Sequence, residues 1–330
     1  MNGSGRWHIS LNRSRFLKVI SAGIASTSIL RGHGDTAGTG KPDVVVGVLT
    51  DCQYADIDTP PKSKRLYRQS PAKLKAAIEH FNAMGDIDFM MHLGDAVDCK
   101  EQSYNVVTPL FATAACPIHH VAGNHDFDIA DTLKSRVHSL LGMPAPYYSI
   151  ERNKWRFVML DGNELSLFAF PKNSPRWQEA QEFRSASARK LADYNGGLGG
   201  TQRAWLVKEL AAARAAGQRV ILCCHYPLFP TDGHVLWDAE AVTEIVRQNG
   251  DIIAAWWNGH NHDGNYAARH GIHFLNYRGM VDTPKNSYAR VALYQDRIEV
   301  TGYGRETHRV LRFPAQDFPR PKPAHSKSPA

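Results

Sequence analysis

The chain has 330 residues, 43% of them hydrophobic, which is enough for a sizeable buried core and excludes disordered or collagen-like classes. Its 39 basic and 32 acidic side chains give a net charge of +7, a balance that would suit a nucleic-acid or anionic-membrane partner if it lay in the body of the chain. It lies at the ends: residues 1–41 carry six basic groups against Asp35 alone, residues 313–330 carry Arg320, Lys322 and Lys327 against Asp317, and the body between is near neutral.

Residues 1–41 read as a signal-like or disordered leader. Arg13-Ser14-Arg15-Phe16-Leu17-Lys18 precedes a mildly apolar stretch from Val19 to Leu30, and resembles a twin-arginine export signal in which Ser14 separates the two arginines. Export to a periplasm or the exterior is the expectation, with a cytoplasmic protein as the alternative. Residues 313–330, rich in Pro, Ala and charge, read as a basic tail, which leaves 42–312 as the folded body. No apolar run approaches the roughly 18–20 residues of a membrane span. The five cysteines, an odd number without a CxxC pair, argue against a disulfide framework.

Within the body, short apolar runs alternate with helical stretches, the pattern of an α/β domain. Val44 to Leu49 predicts a buried strand. Pro71 opens a helix with Leu74, Ala77, Ile78 and Phe81 at helical spacing, and Asp88 to Leu93 predicts the next strand. Ile118 to Ala122 is a third, in which His119 and His120 read as structural. Tyr147 to Asp161 suggests a hairpin around a basic turn, Gln202 to Ala215 a helix, and Val220 to Cys224 a strand. Ile252 to Trp257 is a further buried run, and from Ile272 to Leu311 the alternation predicts antiparallel strands.

The residues that follow these runs carry the chemistry. The first run ends in Asp51-Cys52-Gln53, the second in Gly94-Asp95-Ala96-Val97-Asp98 and the third in Gly123-Asn124-His125-Asp126. Val220 to Cys224 ends in His225, and Ile252 to Trp257 in Asn258-Gly259-His260-Asn261-His262. Side chains just past the carboxyl ends of neighbouring strands converge on one crevice in α/β folds. Asp, Asn, Gln and His without thiolate suit Mn, Fe or Zn, and seven such ligands exceed what one tetrahedral ion takes. They fit two ions sharing a bridging carboxylate. Gly94, Gly123 and Gly259 are expected where the backbone turns sharply out of a strand.

GDxxD, GNHD and GHxH in this order resemble the motifs of the calcineurin-like metallophosphoesterase superfamily, over roughly Val44 to Gly304. That superfamily usually carries Asp-x-His as its first motif, and here Gln53 stands at the histidine. Asp51-Cys52-Gln53-Tyr54-Ala55-Asp56 is similar instead to one branch, the manganese-dependent ADP-ribose/CDP-alcohol diphosphatases. Arg65-Leu66-Tyr67-Arg68-Gln69-Ser70, Asn195-Gly196-Gly197-Leu198-Gly199 and Asp263-Gly264 favour the same branch.

The resemblance implies a four-layer α/β/β/α sandwich with two mixed sheets and a dimetal site at the strand ends. It implies two divalent ions, manganese first and Fe or Zn as alternatives, with Asp95 bridging them. Asp51, Gln53 and His262 would complete one site, and Asn124, His225 and His260 the other. The activity implied is hydrolysis of a small nucleoside diphosphate ester by a hydroxide between the ions, with His125 serving the leaving group. A phosphomonoesterase or cyclic-nucleotide phosphodiesterase on the same core and an inactive metal-binding scaffold are the alternatives.

Asp98 and Asp126 lie close beyond ligand positions and are expected to orient ligands by hydrogen bonds. Arg65 and Arg68 are candidates for substrate phosphate; Tyr54, Phe127 and Tyr266 are candidates for stacking on a base or ribose, with aromatic core as the equal alternative. A nucleic-acid partner would require a basic stripe with interleaved aromatics, which the neutral body does not carry.

Overall fold

A computed structural model of the chain describes residues 40–231 and 233–313. Nearly all of the leader and of the tail lies outside them. Among the described residues twelve strands form two mixed sheets of six. In the first, β1 (Val44–Leu49), β2 (Phe89–His92) and β3 (Ile118–His120) run parallel, and β10 (Ser287–Leu293), β11 (Arg297–Gly304) and β12 (Arg309–Arg312) extend it antiparallel beyond β1. In the second, β5 (Trp155–Met159), β6 (Arg219–Cys223), β7 (Ile253–Asn258) and β9 (Ile272–Asn276) run parallel between the antiparallel edges β4 (Tyr148–Arg152) and β8 (Asn265–Arg269).

The apolar pattern explains the layering. The inner faces meet through aromatic rings, with Phe89 of β2 edge-on to Phe157 of β5 at 4.9 Å. On the outer face of the first sheet lie α1 (Ser70–Met84) and α2 (Tyr104–Phe111). Phe81 of α1 packs so closely on β1 that a Cβ at Gly47 would stand 3.0 Å from its ring. Alternate residues of the second sheet, Val158, Leu222 and Trp256, pack instead with Leu206 and Leu210 of α5 (Gly199–Ala215) and Val242 and Val246 of α6 (Ala239–Gln248). Strands buried on both faces read as continuous apolar runs, and all six residues of β1 and of β7 are buried.

Some elements depart from the predicted pattern. α5 begins at Gly199, three residues before Gln202, because the Asp238 carboxylate, distant in sequence, accepts from the N–H groups of Leu198 and Gly199 at 3.1 and 3.2 Å. The stretch from Ile272 divides between the sheets: β9 joins the second sheet parallel to β7, and only β10 to β12 form the antiparallel arm of the first. The short helix α3 (Val137–Leu140), α4 (Pro175–Ala186) and the largely exposed β8 lack the apolar periodicity that would announce them. No helix among the described residues is long and apolar enough to cross a membrane.

Candidate metal centre

The carboxyl ends of β1, β2, β3, β6 and β7 converge, and the residues past them form one buried polar cluster. Asp51, Gln53, Asp95, Asn124 and His225 are each at most 1% exposed. Asp95 lies between two groups. Its Oδ2 accepts from Gln53 Nε2 at 2.8 Å and lies 3.2 Å from His225 Nε2, while its Oδ1 accepts from the His125 N–H at 2.9 Å. On one side His262 Nε2 is 3.3 Å from Asp51 Oδ1; on the other His260 Nδ1 is 3.2 Å from His225 Nε2.

Hydrogen bonds made away from the cluster fix which atom each residue turns into it. His225 Nδ1 donates to the Leu93 carbonyl at 2.8 Å, so Nε2 is the nitrogen that faces the cluster. Asn195 spends its amide N–H groups on the carbonyls of Gly233 and Val235, so its Oδ1 must accept, and the donor 2.8 Å away is His260 Nε2. That leaves the His260 Nδ1 lone pair facing His225. His262 Nδ1 donates to Asp282 Oδ1 at 3.1 Å, which turns Nε2 towards Asp51. Among the described residues three buried side-chain amide oxygens have no hydrogen-bond partner; besides Asn258 Oδ1, two of them belong to this cluster, Gln53 Oε1 and Asn124 Oδ1. Buried carbonyl oxygens are ordinarily satisfied, so two orphans beside carboxylates and outwardly anchored imidazoles fit hard divalent cations.

Electrostatics point the same way. Burial pulls His225 and His262 towards the neutral form, but Asp95 acting on the first and Asp51 on the second outweigh it and raise both to about 9. Burial, reinforced by His225, holds His260 well below the usual histidine range. Burial raises the Asp95 carboxyl, and the imidazoles of His225 and His125 overcome this and hold it well below its usual range. The cluster therefore attracts positive charge and is carboxylate-rich before any ion enters.

The backbone is strained to build it. Asp51, Gln53, Asp95 and His260 all have φ between +45° and +69°, a region non-glycine residues seldom adopt. Of the three glycines expected at sharp turns, only Gly94 needs conformational freedom, at φ +98°. Gly123 and Gly259 serve close approach instead: a Cβ would lie 2.1 Å from Asp95 Oδ1 in the first case and 2.0 Å from Thr50 Oγ1 in the second. Asp126 accepts from the N–H groups of Asp95, Ala96, Val97 and Gly123, tying the loops after β2 and β3 together.

A cavity of about 310 Å³ opens over the cluster, lined by Gln53, Arg65, Asp95, Asn124, His125, Tyr194, His234, His260 and His262. His125 Nδ1 lies 3.1 Å from Asp98 Oδ1, and Arg65 Nη1 lies 3.4 Å from Asp98 Oδ2 and 3.3 Å from His125 Nε2. Arginine only donates, so Nε2 accepts from Arg65 and the proton on Nδ1 goes to Asp98. Burial works against imidazolium at His125, and the Asp95 and Asp98 carboxylates outweigh it and raise its pKa.

Four sequence candidates for substrate contact are absent from the lining of this cavity. Arg68, on the surface, pairs with Asp56 and Asp58 because the loop before α1 turns its side chain outward. Phe127 is buried core against His138, and Tyr54 is half-buried, bridging to Val97 through its backbone. Tyr266 stacks on His273 instead. Sequence reasoning missed Asp282, Tyr194 and His234, which lie in irregular loops without a periodic signal. Asn195 stood within a quoted motif but without a role.

An α/β sandwich with this buried donor set at its strand ends is a phosphoester hydrolase scaffold, and the chain belongs to the calcineurin-like phosphoesterase family, whose pattern matches residues 44–264. It is similar to the manganese-dependent ADP-ribose/CDP-alcohol diphosphatase of Arabidopsis thaliana, at 29% identity over 80% of this chain and 96% of that protein. The human protein of the same name is 25% identical over 81% of this chain and 92% of its own length. Among solved structures, a dimetal phosphatase from Danio rerio superposes with a TM-score of 0.74 at 24% identity, covering 83% of this chain and all of that one.

Proposed function

We propose that the chain is a dimetal diphosphatase that cleaves the diphosphate linkage of small nucleoside diphosphate esters of the ADP-ribose or CDP-alcohol type. Two divalent ions, manganese by analogy with the names of the relatives, are assigned to the buried cluster. Asp51, Gln53 and His262 would hold one, Asn124, His225 and His260 the other, and Asp95 both. Such ions, when bound, offset charge on phosphoryl oxygens and lower the pKa of water. The observation that carries this reading is the pair of orphaned amide oxygens, Gln53 Oε1 and Asn124 Oδ1, buried beside Asp95.

The remaining roles fall to the protein. Arg65 presents a guanidinium on the cavity wall beside His125, suited to the phosphate that stays outside the cluster. Its transfer to a phosphate oxygen would release His125 Nε2, which then holds a proton or hydrogen bond for the leaving oxygen, while Asp98 keeps Nδ1–H in place. In a diphosphate the leaving group is a phosphate monoester, so this proton is needed only in part. The cavity admits the phosphate portion of a small molecule, and Tyr194 stands 41% exposed at its rim.

A hydrolysis panel in Mn²⁺ tests the proposal with ADP-ribose, CDP-choline, a cyclic nucleotide and an aryl phosphate. Turnover of the two diphosphates well above the others is expected. Turnover of the aryl phosphate or the cyclic nucleotide alone would replace diphosphatase with phosphomonoesterase or phosphodiesterase. Inactivity towards all four with Mn²⁺, Fe²⁺ or Zn²⁺ would favour a binding scaffold.

A further inference from the structure

Lys73 breaks the apolar face of α1. Its neighbours Leu74, Ala77, Ile78 and Phe81 are core residues, yet this lysine is only 8% exposed. Buried ammonium groups are costly unless their three N–H donors are satisfied. Here all three point at one short segment: Nζ donates to the carbonyls of Met280 at 2.5 Å, Val281 at 3.2 Å and Thr283 at 3.0 Å. The segment's exit is fastened to the same residue, since Asn286 Nδ2 donates to the Lys73 main-chain carbonyl at 2.8 Å. Burial lowers the ammonium pKa to about 8, a measure of what this placement costs.

What the segment carries explains why the cost is tolerated. Met280 and Val281 donate from their backbone to Thr50 and Asp51, so the segment abuts the first metal motif. Asp282 holds His262 Nδ1. Asp282 also forms a β-bridge with Arg65, flanked by Leu66 N–H to Val281 and Thr283 N–H to Lys64. Thr283 sits at φ +61°, a strained value that persists only where the surroundings over-determine it. One residue therefore organises a segment that orients a metal-side imidazole through Asp282 and backs the chain presenting Arg65.

We propose that Lys73 is a positioning residue of the metal centre, acting through the 280–283 segment to set His262, and through the Arg65 bridge to set the phosphate-side guanidinium. This rests on the reading that His262 belongs to a metal site. The test is Mn²⁺ binding followed by calorimetry and by the electron paramagnetic resonance of bound Mn²⁺, in wild type, Lys73→Met, Asp282→Asn and the double variant. Wild type should bind two ions; if it binds none, the metal-site reading fails, whatever Lys73 does.

Given two ions in wild type, Lys73→Met should weaken one of them about tenfold and leave the other near its wild-type affinity, the scale seen when a partner of a metal ligand is lost. KM for ADP-ribose should rise even at saturating Mn²⁺. In the double variant, affinity should fall no further than in Asp282→Asn alone, because both changes act through one contact. Should Lys73→Met not fold, Lys73→Gln, which keeps two donors, carries the same measurements. A lower melting temperature with both Mn²⁺ affinities and KM unchanged would reduce Lys73 to a structural lysine, and additive losses in the double variant would remove Asp282 as its route.

Discussion

Asn195 Oδ1 accepts from His260 Nε2 at 2.8 Å, and that single contact decides which nitrogen of His260 faces the buried cluster. Asn195 can do this because both of its N–H groups are committed to the carbonyls of Gly233 and Val235. Asn195→Ala frees the imidazole to adopt the other tautomer and leaves two carbonyls unpartnered. Mn²⁺ affinity should fall between tenfold and a hundredfold, and stability by about 1–3 kcal/mol. A Mn²⁺ titration of activity with a parallel denaturation curve checks both. Unchanged Mn²⁺ dependence would show that His260 is oriented by other means.

Gln53 joins two roles, since Nε2 donates to Asp95 while Oε1 has no partner. Gln53→Glu keeps the shape and sets a second carboxylate against Asp95 where neither sees solvent. Like charges this close destabilise the metal-free protein, and a divalent ion relieves them. The variant should melt several degrees below wild type in EDTA and recover most of the gap in Mn²⁺. If Mn²⁺ raised both melting temperatures equally, Gln53 would not face an ion.

The strand ends were readable because apolar runs such as β1, β2 and β7 are buried on both faces and each run stops where a ligand type begins, so Asp51, Asp95, Asn124, His225 and His260 could be placed on one edge before any coordinates. Their anchors were not readable. Asp282 follows His262 by twenty positions within a loop, and its role depends on a bridge to Arg65 that no local pattern encodes. Arg65 and Arg68 look alike in sequence, three residues apart before the same helix. The structure turns one towards His125 and leaves the other with Asp56 and Asp58, a distinction set by tertiary pairing alone. The glycines were correctly singled out for an incomplete reason, because at Gly123 and Gly259 the demand comes from Asp95 and Thr50 rather than from φ.

His225 and His262, raised from 6.5 to about 9, give the metal-free protein a defined pH response. Their folded-state values lie above the unfolded ones, so the stability they contribute is fully present below 6.5 and is lost as pH rises through about 9. A metal ion must displace the same protons, so its apparent affinity should climb over that window and level off above it. The melting temperature in EDTA should therefore decline across the window, and the increase produced by Mn²⁺ should widen. A Mn²⁺-induced increase that stays constant with pH would mean that neither imidazole releases a proton on binding.

His125 is held by Asp98 at Nδ1 and met by Arg65 at Nε2, an arrangement that fixes the imidazole on the wall of the cavity, where Nε2 can serve a leaving oxygen once Arg65 moves to phosphate. The need for a proton at that oxygen depends on the leaving group. A phosphate monoester departs readily without full protonation, whereas an alkoxide does not. His125→Ala should therefore lower kcat on ADP-ribose by about tenfold, but on an alkyl phosphodiester by about a thousandfold, within the range general acids supply. Asp98→Asn should show the same ordering with smaller losses, because it loosens the imidazole without removing it. Rates on a series of esters of graded leaving-group pKa measure this directly: the variant's plot should be steeper than that of wild type. Parallel plots would leave His125 with a binding role and require another donor for the leaving oxygen.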